Sequence, residues 1–126
     1  MNFLKTILVV LGFLSLNCNV DAQNKISAAD FEAKTKNQKV QLIDVRTPAE
    51  FAAGHLKSAK NINYASDNFA NEMGKLDKSK AVYIYCAAGG RSGKAVPVLT
   101  QIGFKEVFDL EGGINAWKSA GKETAK

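Results

Sequence analysis

The chain has 126 residues, 46% of them hydrophobic, and carries a net charge of +5 at pH 7. That length suits about one domain with one modest core. One histidine and two cysteines exclude the usual structural zinc sites, and scattered lysines without aromatic interleaving argue against a nucleic-acid surface.

The first element in the chain reads as a leader. Met1 to Lys5 carries one positive charge, Thr6 to Leu16 is almost unbroken apolar sequence, and Val20-Asp21-Ala22 has the small-residue spacing of a signal-peptidase site. Residues 1–22 are therefore expected to be removed, leaving 23–126 as a single domain in the periplasm or outside the cell. The apolar run is too short to span a bilayer comfortably, so no stable membrane span is expected. Cys18 offers an alternative, a lipidated N-terminal cysteine, but Asn17 stands where such sites usually carry a small residue. Cleavage would take Lys5 and Asp21 together and leave the charge at +5, a mild field that also draws in small anions.

Past the leader, strand and helix signals alternate without repeats. Ser27, with Asp30 three residues on, predicts a helix N-cap, and the helix runs from Ala28 to about Lys36. Val40 to Val45 predicts a mostly apolar strand of the buried parallel type. Thr47-Pro48-Ala49-Glu50 is a helix start: threonine caps, proline suits the first helical position, and glutamate completes a capping box. That helix is expected to stop at Gly54. Asn61 to Tyr64 predicts a short strand, and Ser66 a cap for a helix through Met73, ended by Gly74. Ala81 to Tyr85 predicts the central strand. The helix after it runs to about Ile102, with Gly103 closing it and Pro97 expected to kink it or delay its start. Glu106 to Leu110 is a further strand, Gly112-Gly113 a turn, and Ile114 to Ser119 a final helix carrying Trp117. The alternation predicts an α/β fold with a mainly parallel sheet.

The most telling stretch is Tyr83-Ile84-Tyr85-Cys86-Ala87-Ala88-Gly89-Gly90-Arg91-Ser92. It sets a thiol at the C-terminal end of a strand, facing the positive end of the helix opened by Arg91 and Ser92. Loop N–H groups and the helix dipole both favour an anion there, and a thiolate is such an anion. A purely structural core cysteine needs neither adjacent glycines nor an arginine within five residues. Once the leader is gone Cys86 is the one remaining thiol, with no partner for an internal disulfide. Ligands of open parallel sheets bind at the carboxyl ends of strands, where Cys86 falls.

Three stretches together carry a resemblance. They are Asp44-Val45-Arg46-Thr47-Pro48-Ala49-Glu50-Phe51 followed by Gly54-His55, the loop from Cys86 to Ser92, and Leu110-Glu111-Gly112-Gly113-Ile114-Asn115-Ala116-Trp117. In this order and spacing the chain resembles a single-domain rhodanese, the sulfurtransferase family, across essentially the whole of 23–126. The resemblance implies a rhodanese-like fold: a central, mainly parallel sheet of about five strands flanked by helices on both faces. It implies that Cys86 is the catalytic nucleophile, taking a sulfane sulfur from thiosulfate, a polysulfide or a persulfide. A thiol, a partner protein's thiol among them, or cyanide would then accept that sulfur. Ala87, Ala88, Gly89, Gly90, Arg91 and Ser92 would cradle the bound sulfur, and Asp44 and Arg46 would support the site from a neighbouring strand end. No metal or other cofactor is implied, and a monomer is expected.

For the accessory residues two readings stand side by side. Arg91 either orients an anionic donor or pairs with an acid to brace the loop. Asp44 and Arg46 either support the site or form a plain surface ion pair. His55, after Gly54, reads as a structural hydrogen-bonder and Trp117 as core. Ala87 and Ala88 stand where thiosulfate-preferring members often carry basic or polar side chains, which leaves the donor open. Two other functional classes compete: a sulfur carrier without turnover, and a cysteine phosphatase or arsenate reductase. The latter generally separates Cys and Arg by five residues, and here four intervene.

Overall fold

The computed structural model describes residues 24–37 and 39–126. The expected leader, residues 1–22, and Cys18 within it lie outside the described residues. The elements in chain order are β1 (Lys25–Ile26), α1 (Ala28–Thr35), β2 (Gln41–Asp44), α2 (Pro48–Ala53), β3 (Lys60–Asn61), α3 (Phe69–Met73), β4 (Val82–Tyr85), α4 (Gly90–Gln101), β5 (Val107–Leu110) and α5 (Gly113–Ser119). The five strands form one sheet in the order β1-β5-β4-β2-β3, and every neighbouring pair is parallel.

Side-chain alternation along β4 explains the layers. Val82, Ile84 and then Cys86 join Ile43 and Val45 on one face, where Phe69 and Met73 of α3 and Ala95, Val96 and Leu99 of α4 cover them. Tyr83 and Tyr85 turn to the other face with Leu42 and Leu110, covered by Phe31 of α1 and by Ile114 and Trp117 of α5. A strand buried on both faces must be apolar throughout, as all four residues of β4 are buried. The predicted α/β sheet with helices on both faces is the observed one.

The chain leaves β2 toward β3 on one side and leaves β4 toward β5 on the other. The boundary between β2 and β4 is therefore a topological switch point, the place where open parallel sheets bind ligands beyond the carboxyl ends of the strands. Asp44 and Tyr85 are paired across it, and the Val45 N–H donates to the Tyr85 carbonyl at 3.0 Å.

Three local differences from the sequence reading have physical causes. β1 was not expected, because two residues give no periodicity; it exists through its pairing of Lys25 and Ile26 with Asp109 and Leu110. Before α3, the Ser66 hydroxyl accepts the Asn68 N–H and its carbonyl accepts the Phe69 N–H, so a turn occupies the expected first helical residues. α4 begins at Gly90 and passes through Pro97, which therefore does not delay its start. Pro97 is exposed, so its ring lies on the solvent side of the helix.

Candidate active site

Cys86 is carried one residue past the end of β4 and is 1% exposed. Four residues separate it from Arg91, and Gly89 makes the return possible. Gly89 adopts φ +109°, a conformation that L side chains rarely adopt, and serves as the N-cap of α4. In that conformation its N–H points back at Cys86 and donates to Sγ at 3.0 Å. The Ser92 hydroxyl, fully buried, lies 3.3 Å from Sγ. The first N–H groups of a helix have no intrahelical partner, and at α4 these belong to Gly90, Arg91 and Ser92. The sulfur thus sits at a helix N-terminus, touched by one loop amide and one hydroxyl.

Arg91 takes the bracing role. Its Nη1 and Nη2 donate to Oε1 and Oε2 of Glu50 at 2.7 and 3.0 Å, a bidentate pair with both side chains about one third exposed. The hydrogen bond to Glu50 raises the Arg91 pKa, and the charge of Cys86 acts in the same direction. The hydrogen bonds from Arg91 bring the Glu50 carboxyl down to about 2, aided by Thr47 and opposed by burial. Glu50 holds two posts, because its Oε1 also accepts the Thr47 N–H and hydroxyl in the capping box of α2. The capping box had accounted for Glu50 in the sequence, so no residual signal tied it to an arginine 41 positions away.

Asp44 and Arg46 form a buried pair, 0% and 5% exposed, and not a surface one. Arg46 Nη2 donates to Asp44 Oδ2 at 2.6 Å and to the Gly54 carbonyl at 2.6 Å, while Nε reaches both Asp44 oxygens. Burial opposes the charge of Arg46, and the hydrogen bond and charge of Asp44 outweigh it to raise the pKa. The guanidinium lies 5.8 Å over the Tyr85 ring, and the Tyr85 hydroxyl accepts the Leu56 N–H at 3.0 Å. Burial pushes the Tyr85 phenol up. The pair ties the ends of β2 and β4 to the end of α2.

The turn before α5 is a third wall of the site. Ile114 and Asn115 donate their N–H groups to the carbonyls of Cys86 and Ala87 at 2.9 and 3.0 Å. Gly113, at φ +63°, lies so close beneath them that a Cβ would come within 2.5 Å of both carbonyl oxygens. The sequence showed Gly112-Gly113 only as a turn; the close approach of two backbones depends on residues remote in the chain. Ala87 and Ala88 bring methyl groups alone, and Gly90 is exposed.

His55 stacks on Phe51 with ring centroids 3.9 Å apart, and its Nδ1 is 3.0 Å from the Phe51 carbonyl. Trp117 is buried, with its indole N–H on the Glu123 carbonyl. Among the described residues no three His, Cys, Asp or Glu side chains gather to hold a metal ion. A cavity of about 590 Å³ lies elsewhere, between Glu32 and Thr35 of α1, Leu56 to Ser58, Trp117, and Ala120 to Glu123; no residue of the cysteine loop lines it.

Residues 27–120 match the model of the rhodanese-like domain family. The chain is 38% identical over 95 residues to the uncharacterized protein YqhL of Bacillus subtilis, covering 75% of this chain and 72% of that one. It is 34% identical over 86 residues to the thiosulfate sulfurtransferase GlpE of Shewanella oneidensis, covering 68% and 83%. Among solved structures, a rhodanese-related protein from Thermoplasma volcanium superposes with a TM-score of 0.71 at 30% identity, covering 81% of this chain and 97% of that one. The parallel sheet, the cysteine loop at its switch point and the family match agree: the chain belongs to the rhodanese-like domain family.

Proposed function

We propose that this protein is a sulfurtransferase that moves a sulfane sulfur through a persulfide on Cys86. The observation that carries the reading is the Gly89 N–H donated to Cys86 Sγ at 3.0 Å at the N-terminus of α4. That setting stabilises a sulfur anion without a histidine or aspartate base. The thiolate attacks the outer sulfur of a small anionic donor such as thiosulfate. An S–S bond forms to Cys86, the donor's own S–S bond breaks, and sulfite leaves with its electron pair. A thiol or cyanide then attacks the outer sulfur of the persulfide, and the Cys86 thiolate departs. Two displacements with a covalent intermediate give ping-pong kinetics.

With Arg91 committed to Glu50 and only methyls at Ala87 and Ala88, donor recognition falls mainly to loop amides. Such a cradle suits a polysulfide or persulfide as well as thiosulfate. Mass spectrometry after exposure to thiosulfate or polysulfide tests the reading: the wild type gains one sulfur atom and Cys86→Ser gains none. Sulfite release with thiosulfate and cyanide measures turnover, and a parallel phosphatase assay is expected to be blank. Transfer retained by Cys86→Ser would end the mechanism; persulfide formation without turnover would identify a sulfur carrier.

A further inference from the structure

α2 is unusual among the elements that shape the site, because none of its residues is buried. A helix without a core face takes its position from restraints at its ends. At the start are the Thr47–Glu50 capping box and the two Glu50 bonds to Arg91. At the finish the Gly54 carbonyl accepts from Arg46 Nη2. The last restraint comes from the far end of the sequence. His55 and Ala125 exchange both backbone hydrogen bonds, at 2.9 and 2.7 Å, as an isolated antiparallel bridge.

The segment that supplies Ala125 is itself fastened. Gly121 turns the chain at φ +78°, Lys122 donates its N–H to the Trp117 carbonyl, and the Trp117 indole donates to the Glu123 carbonyl at 2.8 Å. Lys122 Nζ donates to Glu32 at 2.6 Å and lies 5.7 Å over the Trp117 ring. Residues 121–126 fall outside the family match, which ends at 120. They connect α1 and α5 to the end of α2.

From this arrangement we infer that residues 121–126 are a strap that positions α2, and through Glu50 sets the hold on Arg91 and the cysteine loop. Ala125 is thus a positioning residue for the sulfur transfer proposed above, on which this inference rests. It touches neither sulfur nor substrate. Its influence runs through His55, α2, Glu50 and Arg91.

Ala125→Pro removes the N–H given to His55, and deletion of residues 124–126 removes the bridge altogether. Glu50→Gln retains a capping side chain and gives up the charge facing Arg91. Ala125→Pro and Glu50→Gln are each expected to lower sulfur transfer by about tenfold, the scale of displaced positioning groups. The double variant is expected to be no slower than Glu50→Gln alone, because both act on one connection. The restrained Arg91 guanidinium signal in the NMR spectrum, identified by its loss in Glu50→Gln, is expected to be lost in Ala125→Pro and in the deletion. That signal is independent of sulfur chemistry. Its survival in both strap variants, or strictly additive rate losses, would overturn the strap. A wild type that shows the signal and transfers no sulfur would instead refute the proposed activity. Should Ala125→Pro fail to fold, as judged by circular dichroism, the deletion decides.

Discussion

Gly113 lies beneath Cys86 with so little room that a single added carbon would come within 2.5 Å of the Cys86 carbonyl oxygen. The obstacle is backbone, and the carbonyl is already held by the Ile114 N–H at 2.9 Å, so neither side can move cheaply. The conformation at φ +63° adds strain for any other residue. Gly113→Ala is therefore expected to destabilise the domain by about 2 kcal/mol or more. It is also expected to displace the cysteine loop, with a large loss of sulfur transfer. Thermal unfolding beside a persulfide assay checks both, and the melting point is expected to fall by roughly 10 °C.

The ion pair between Glu50 and Arg91 gives stability a defined acid limb. The folded-state pKa of Glu50 is depressed from 4.5 to about 2, so the carboxylate form is favoured by folding. Its contribution is complete above about 4.5 and disappears as the pH falls through about 2. Solvent screening of this partly exposed pair limits the contribution to about 1 kcal/mol. Denaturant unfolding between those pH values is expected to show a shallower slope in Glu50→Gln than in wild type. Equal slopes would contradict the assignment.

Asp44 and Arg46 behave differently because they are buried. Asp44→Ala leaves the Arg46 guanidinium in the interior with the Gly54 carbonyl as its remaining protein acceptor among those described. Breaking a buried pair from one side costs about 3–5 kcal/mol, and replacing both members by apolar residues of similar size often restores it. Chemical denaturation is thus expected to rank Asp44→Ala well below the double variant Asp44→Leu with Arg46→Met.

Loop length is the remaining determinant. A glycine inserted between Ala88 and Gly89 must bulge within the loop, since β4 anchors one end and α4 the other. One extra residue adds little closure entropy, so stability is expected to change by less than about 1 kcal/mol. The Gly89 N–H would no longer point at Sγ, and sulfur transfer is expected to fall on the order of a hundredfold. Calorimetry on the same variant follows its affinity for phosphate and arsenate. Unchanged transfer would show that four intervening residues are not what selects sulfur.

The parts of this architecture that were legible in the sequence are those whose cause is local. The apolar run of β4, the glycines after Cys86 and the Thr47–Glu50 cap each act within a few residues, and they located the sheet, the turn that brings α4 back over Cys86, and α2. β1 was not legible because its two residues become a strand only against β5. The Glu50–Arg91 pair joins positions 41 apart, and Gly113 meets Cys86 only after the sheet has formed. Asp44 and Arg46 stood out by type, but their burial depends on Tyr85 and Gly54 enclosing them.

The depth of the cysteine bears on which molecules can trade sulfur with it. With Cys86 1% exposed, the proposed relay would load only from slender donors whose terminal sulfur can enter the loop. In the proposed persulfide the atom to be handed on would be the outer sulfur, one S–S bond of about 2.05 Å from Sγ. Loading would thus be sieved by size more strictly than unloading. Under the proposed relay, a bulky protein thiol that cannot reach Sγ to form a mixed disulfide would still be able to collect the outer sulfur, and the burial of Sγ would shield it from capture by stray disulfides.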